Sequence, residues 1–414
     1  MATDTDWEDL ALKAGQAFSP GAPINERDLF RGRQEQIRRV VDAVNQKGQH
    51  AAIFGERGVG KTSLSRVIRQ FLSGYPEVIT PSITCESSDT FESVWRKVFS
   101  RIDIAKPGAP TLGFSNAGRQ TDMFKLSDVV SGPITADVVR DQLEQVAVRA
   151  LPIIIIDEFD RLKADASIGF ADTIKTLSDH AVDATVLLVG VGDSIDQLME
   201  DHRSVGRVLK QIQMPRMAPN EVAEILTTGL KKLGMTITAD ARERVVLLAR
   251  GLPHYAHLIG LHASRAALDA HSLQIGVSAV NRGIERATED AEQTTRTAYR
   301  IATQSNKKRT LFSDVLLACA VAACDEHGYF TAGAVRDALQ RITGRNLEIP
   351  NFAKHLADFS DAKRGHVLVR EGDGRYKYRF ADPLLQPYVI MHGLQNSHIA
   401  AAVLELNPHY ATAL

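Results

Sequence analysis

The sequence predicts an α/β fold built on a parallel sheet, followed by a helical lid and a C-terminal winged-helix domain. Three observations carry this. Short apolar runs alternate with helical periodicity up to about residue 214, the pattern of strands joined by crossover helices. From 219 to 297 only helical periodicity remains. From 298 to 395 three helical stretches precede two short strand-like runs joined by Gly372-Asp373-Gly374, a hairpin signal.

The length of 414 residues suits two or three domains. The divisions read from the pattern are a lead-in over 1–27, an α/β core over 28–216, a lid over 217–297, a winged-helix domain over 298–395 and a tail over 396–414. The formal net charge of −1 gives no overall field towards nucleic acid or membrane, so any nucleic-acid surface has to be local. Cys85, Cys319 and Cys324 form no CxxC pair and read as buried, reduced thiols of a cytoplasmic protein. The acidic N-terminus lacks a signal-peptide pattern, and no apolar run approaches the ~20 residues a membrane helix needs.

In chain order, a helix over Trp7–Ala17 is broken by Ser19-Pro20-Gly21-Ala22-Pro23. A second helix, over 33–44, places Ile37, Val40, Val41 and Val44 on one face. A strand over 51–54 leads through a Gly-rich turn into a helix from Thr62 to about Leu72. A second strand is expected over 78–84 and a helix over 90–102. Residues 105–135, rich in Pro, Gly, Ser and Asn, read as an insertion loop, and helical periodicity resumes over 136–148. Leu151–Asp157 is a continuous apolar strand, as in a buried parallel sheet. A helix over 168–180, a strand over Thr185–Val191 and a short strand over 211–214 close the core. The lid helices are expected over 221–233, 239–249, 255–270 and 277–291. The last domain reads as helices over 311–323, 331–342 and 351–360, with strands over 367–370 and 376–380.

Gly55-Glu56-Arg57-Gly58-Val59-Gly60-Lys61-Thr62 matches G-x-x-x-x-G-K-[ST] at every position, between an apolar strand and a helix. Glycines let the backbone wrap a phosphate with N–H groups inward, and the helix N-terminus adds a favourable dipole. Lys61 supplies charge to the β and γ phosphates of ATP, Thr62 offers its hydroxyl to Mg²⁺, and Ser63 completes the cradle. The second motif is Ile153-Ile154-Ile155-Ile156-Asp157-Glu158. The strand delivers Asp157 to its C-terminal end, where open α/β sheets bind ligands. Asp157 is the expected metal ligand, and Glu158 the residue that orients the attacking water.

With these motifs the chain resembles the AAA+ ATPases, in the branch of origin-recognition and initiator-loading ATPases and the related STAND switch ATPases. Leu29-Phe30-Arg31-Gly32-Arg33-Gln34-Glu35 resembles the segment that precedes the P-loop there. The resemblance implies a sensor 1 residue at Asp193, or Ser194, just past the fourth strand. It implies an arginine finger at Arg207, or Arg203, reaching the ATP of a neighbouring subunit in a homo-oligomer. Gly251-Leu252-Pro253-His254 resembles the sensor 2 region, with Pro253 near the base and His254 where initiators carry arginine. Histidine is not reliably charged near neutral pH, which leans towards a nucleotide switch rather than a fast motor.

Two partner classes stay open. Lys363, Arg364, Arg370, Arg375, Lys377 and Arg379 outnumber the acids of the hairpin region and suit phosphate contacts to double-stranded DNA. The expectation is an ATP-dependent regulator or assembly factor on DNA. The alternative is a signalling switch that senses a separate protein and binds no nucleic acid.

Overall fold

The computed structural model describes residues 6–20, 33–105, 123–192, 203–305, 311–325 and 327–396. They form two compact units. One comprises Arg33–Gly55 and Lys61–Met214; the other gathers the lead-in, Glu56–Gly60 and the chain from Pro215 on. Helix α1 (Trp7–Ala17) belongs to the second unit and is capped by the Asp6 carboxylate, which accepts from Asp9 N at 3.0 Å.

The first unit is a parallel sheet with helices. Its elements are α2 (Gln34–Val44), β1 (His50–Gly55), α3 (Lys61–Leu72), β2 (Val78–Ile79), β3 (Ser82–Thr84), α4 (Phe91–Phe99), β4 (Asp103–Ala105), β5 (Met123–Lys125), α5 (Leu126–Val129), α6 (Ala136–Ala147), β6 (Leu151–Asp157), α7 (Ala164–Asp179), β7 (Thr185–Val191) and β8 (Leu209–Gln213). Strand order is β2-β6-β7-β1-β8, with β3 also on β6, and every pairing in this sheet is parallel. Ile153, Ile154, Ile155 and Ile156 are at most 1% exposed, so the unbroken apolar run of β6 reflects burial on both faces. Trp95 of α4 and Phe170 of α7 stack at 5.9 Å in the core beside Ile154 and Ile156.

The expected single strand over 78–84 is two pieces, β2 and β3. They keep one register on β6, Val78↔Leu151 and Ser82↔Ile155. Pro81, between the pieces, has no N–H to give to β6, and the ladder breaks there. The stretch 105–135 is not all loop either. β4 and β5 pair antiparallel, with Asp103 opposite Lys125 and their side chains 2.6 Å apart, and α5 follows; residues 106–122 lie outside the described set.

The second unit continues with α8 (Pro219–Lys232), β9 (Thr236–Ile237), α9 (Ala239–Ala249), α10 (Pro253–Leu268), β10 (Gln274–Ile275) and α11 (Val277–Glu289). The helices match the expectation. The parallel β9–β10 bridge was not visible in the sequence, because two-residue strands carry no periodicity. α10 and α11 touch backbone to side: a Cβ on Gly283 would sit 2.7 Å from Ala263 N.

Beyond them lie α12 (Gln293–Thr303), α13 (Phe312–Val321), β11 (Phe330–Thr331), α14 (Ala332–Thr343), α15 (Ile349–Phe359), β12 (Leu368–Glu371), β13 (Lys377–Phe380) and α16 (Leu385–Gln395). Thr331 caps α14, accepting from Ala334 N at 3.2 Å. The hairpin strands gain a third partner in an antiparallel sheet ordered β11-β13-β12. Helices α12 and α16 are additions to the sequence reading. Cys85 and Cys319 are buried as expected, but Cys324 is partly exposed. No helix among the described residues is long and apolar enough to cross a membrane.

Candidate functional site

The phosphate loop leaves β1 at Gly55 and enters α3 at Lys61. Gly55 has φ 149°, and a Cβ there would stand 2.5 Å from the Met214 carbonyl. No side chain fits, so the tight exit from the strand requires glycine. Gly58 and Gly60 also have positive φ, 87° and 95°. Lys61 is 7% exposed, and its Nζ donates to the Gly55 carbonyl at 3.0 Å. The ammonium therefore arcs back over the loop instead of extending into solvent.

β6 brings the acidic pair to the same end of the sheet. Asp157 is opposite Thr84, and β7 presents Val191 opposite Gly55. Thr62 Oγ1 donates to Asp157 Oδ1 at 3.3 Å, and Glu158 N donates to the same oxygen at 2.9 Å. Burial raises the Asp157 carboxyl above the ordinary carboxylate range; the Glu158 N–H, the Thr62 hydroxyl and the Lys61 charge oppose that rise. A desolvated carboxylate touching a hydroxyl is a set of hard oxygen donors suited to a small divalent cation such as Mg²⁺.

Glu158 follows in left-handed backbone, φ 53° and ψ 39°. A 3₁₀ turn over Phe159–Arg161 comes next. Arg161 Nε lies 2.8 Å from Glu158 Oε2, and Asp160 Oδ1 accepts from Val191 N at 2.7 Å. Sequence reading missed both contacts, although Asp160 and Arg161 lie only two and three residues past the motif.

Asp193 and Ser194 lie outside the described residues, as do Leu29, Phe30, Arg31 and Gly32; Arg33 is buried, 1% exposed. Arg207 ends a 3₁₀ turn over Arg203–Arg207 and its side chain is exposed. Its carbonyl accepts from Gln49 Nε2 at 3.4 Å, and His50 N donates to Val208 O at 2.8 Å. The turn is thus fastened to the strand that leads into the phosphate loop.

In the second unit Pro253 opens α10. His254 Nδ1 is 2.9 Å from the Pro20 carbonyl, so that nitrogen carries the proton. Burial pushes the His254 imidazolium pKa down, and the ring is neutral near pH 7. It does not take the place of a cationic arginine. A cavity of about 380 Å³ lies beside it, lined by His254, Tyr255, Leu258, His262, Asp290 and Glu292 among others.

The hairpin cations are unequally available. Arg364 donates to the carbonyls of Gln304 and Ala302 and lies 3.8 Å over the Phe312 ring. It is committed to the fold. Arg379 covers Tyr329 at 5.0 Å and Lys377 is 3.9 Å from Asp325. Lys363, Arg370 and Arg375 are exposed, with Arg370 stacked 4.3 Å over Tyr376.

Glu56 and Arg57, read from the motif as cofactor contacts, have partners of their own. Glu56 Oε2 accepts from Arg216 Nε at 2.9 Å, with both residues 8% exposed. Arg216 Nη1 donates to Gln386 Oε1 at 2.6 Å, and Gln386 Nε2 donates to Ala320 O at 2.9 Å. Arg57 lies 3.8 Å from Glu292 and 3.7 Å from Asp382. No motif marks Arg216 or Gln386.

Residues 44–199 match the family model described as an AAA domain. Among curated proteins none matches the chain. The solved structures it resembles include the Walker-type ATPase PABY2304 of Pyrococcus abyssi, at TM-score 0.52 and 18% identity, covering 89% of this chain and 98% of that one. The Aeropyrum pernix ORC2 protein, solved as ADPNP–ADP complexes, follows at TM-score 0.48 and 13% identity, covering 89% and 95%. The Aeropyrum pernix ORC1 protein in complex with DNA gives TM-score 0.46 and 14% identity over 94% and 95%. Residues 44–199 contain strands β1–β7, the phosphate loop and the acidic pair, so this part of the chain is an AAA domain with the α/β P-loop ATPase fold.

Proposed function

We propose that this ATPase is an ATP-dependent regulator or assembly factor that self-associates in its Mg²⁺–ATP state and acts on double-stranded DNA. The observation that carries the reading is Arg207. An exposed guanidinium on a turn fastened to the loop-bearing strand suits completion of a neighbouring subunit's site.

Within one subunit, the loop amides and the α3 N-terminus bind the phosphates, and Lys61 neutralises the β and γ oxygens. Thr62 and Asp157 would hold Mg²⁺. Bound there, the ion supplies charge to the transferring phosphoryl group. Glu158 keeps Oε2 on Arg161, leaving Oε1 to align the attacking water and accept its proton. Arg207 of a neighbour stabilises the charge that spreads over the phosphoryl oxygens. Sensor 1 chemistry falls to Asp193, which directly follows Gly192. Pro253 and His254 are the lid contacts, with His254 a neutral hydrogen-bonding group. On the winged-helix hairpin, exposed Lys363, Arg370 and Arg375 beside Tyr376 are the DNA contacts, with Lys377 and Arg379 at their rim.

One observation favours the second reading, a partner-sensing switch without DNA. The neutral, buried His254 is tied to a lead-in carbonyl and offers weak support to fast turnover. ATP turnover with and without duplex DNA, beside Glu158→Gln, separates the two. DNA-stimulated turnover that the substitution abolishes supports the DNA regulator. Slow turnover indifferent to DNA, with a larger assembly in a non-hydrolysable ATP analogue than in ADP, supports the switch. Identical mass in both nucleotides sinks nucleotide-driven assembly altogether.

A further inference from the structure

The turn after Asp157 holds a non-glycine residue, Glu158, in left-handed backbone at φ 53°. Such a conformation persists only where the surroundings over-determine it, and it clusters at functional sites. The three residues that follow are each anchored differently. Phe159 is 1% exposed and meets Phe170 edge-on at 5.2 Å. Asp160 Oδ1 accepts from Val191 N at 2.7 Å, joining the end of β6 to the end of β7. Arg161 turns back on Glu158 itself, Nε to Oε2 at 2.8 Å, and its own N–H closes the turn on the Glu158 carbonyl at 3.0 Å.

We propose that Asp160 and Arg161 are positioning residues for ATP hydrolysis, clamping the turn so that the Glu158 carboxylate keeps its place beside Asp157. The inference rests on Glu158 being the water-orienting group. Asp160 fixes the backbone and Arg161 fixes the side chain. Both side chains are exposed, while the core beneath them is closed by Phe159. A surface ion pair contributes little to folding, so a loss of rate on removing Arg161 would not come from lost stability. Misplacing a catalytic group by about an ångström costs up to ~100-fold in rate, which is the scale on which such a clamp acts.

The test uses the full chain with Asp160→Ala, Asp160→Asn, Arg161→Ala, Glu158→Gln and the double variant Asp160→Ala/Glu158→Gln. Turnover, KM for ATP, single-turnover rate and the thermal midpoint are measured for each. Asp160→Ala and Arg161→Ala are expected to lower kcat about tenfold or more with KM changed less than about twofold. Asp160→Asn, which keeps an Oδ1 acceptor for Val191 N, is expected to recover most of the rate. In the Glu158→Gln background, Asp160→Ala should cost nothing further, because it acts through Glu158.

Wild-type kcat in both alanine variants overturns the proposal. So does an equal loss from Asp160→Ala with and without Glu158, or a loss that follows the thermal midpoint and is not recovered by asparagine. Should Asp160→Ala fail to fold, Arg161→Ala decides alone. Undiminished turnover in Glu158→Gln removes the assignment of Glu158 and the clamp with it, whereas a dead Glu158→Gln beside unaffected clamp variants removes only the clamp.

Discussion

Arg216→Ala removes a guanidinium that two groups share. Glu56 Oε2 stands 2.9 Å from its Nε and Gln386 Oε1 2.6 Å from its Nη1. The Arg216 and Glu56 side chains are 5% and 7% exposed, so water reaches neither side well. Truncating one member of a buried ion pair costs about 3–5 kcal/mol, most of it the penalty of a desolvated charge without its counterion. The lower figure is apt, because alanine opens space through which water can reach Glu56. At about 2–4 °C per kcal/mol for a unit of this size, a loss near 3 kcal/mol lowers the thermal midpoint by about 6–12 °C. Differential scanning calorimetry or fluorimetry of the purified chain reads this directly. The double variant Glu56→Gln/Arg216→Met removes both charges together and should recover a large part of the loss. A midpoint for Arg216→Ala within about 1 °C of the parent would refute the argument that this pair is desolvated.

Burial pushes His50 and His257 down to about 4 each, below the unfolded value near 6.5. The unfolded chain then binds more protons between these values, so the contribution is whole above pH 6.5 and lost as pH falls towards 4, about 3 kcal/mol per histidine. Unfolding midpoints from pH 7.5 to 4.5 check the slope, and His257→Leu should flatten part of it. Gly55→Ala, whose Cβ meets the Met214 carbonyl at 2.5 Å, should lower stability by about 1–3 kcal/mol and abolish binding of a fluorescent ATP analogue. Arg207→Ala is expected to bind ATP normally yet lose turnover by ~10³-fold. Mixing it with Lys61→Ala subunits, which carry an intact Arg207, should restore part of the rate; no restoration argues against a finger supplied between subunits.

The parts of the fold that read correctly from sequence are those where one physical demand dominates. β6 is buried on both faces, so its Ile153-Ile154-Ile155-Ile156 run is unambiguous. The phosphate loop has a steric demand at Gly55 that no other residue meets. The parts that did not read are those where the demand comes from elsewhere in the chain. The β9–β10 bridge is closed by flanking helices and has too few residues to show a period. Helix α16 carries Pro387 in its first turn, where the missing N–H costs nothing, and Gly393 near its end, and it is buried along most of its length, so packing outweighs a weak periodic signal. Arg364 looked like its neighbours in the sequence because charge says nothing about whether main-chain carbonyls wait nearby.

The same limit governs the phosphate loop. In the motif G-x-x-x-x-G-K-[ST] the glycines, the lysine and the hydroxyl are set by phosphate chemistry, and the four intervening positions are not. Here those positions are used for internal contacts. Glu56 joins Arg216, and through it Gln386 at the head of α16. Arg57 lies between Glu292 and Asp382, and Gly58 fits against Leu384, where a Cβ would stand 3.0 Å from the Leu384 Cδ2. Leu384 is itself held by Tyr255, whose hydroxyl donates to its carbonyl at 2.6 Å. Residues more than 150 positions away in sequence thus help set which conformation of 56–60 is most stable. A ligand that reorders those five residues must break these contacts or carry them along. By linkage, whatever displaces Asp382 or Gln386 changes the affinity for that ligand by the same factor with which the ligand changes their seating.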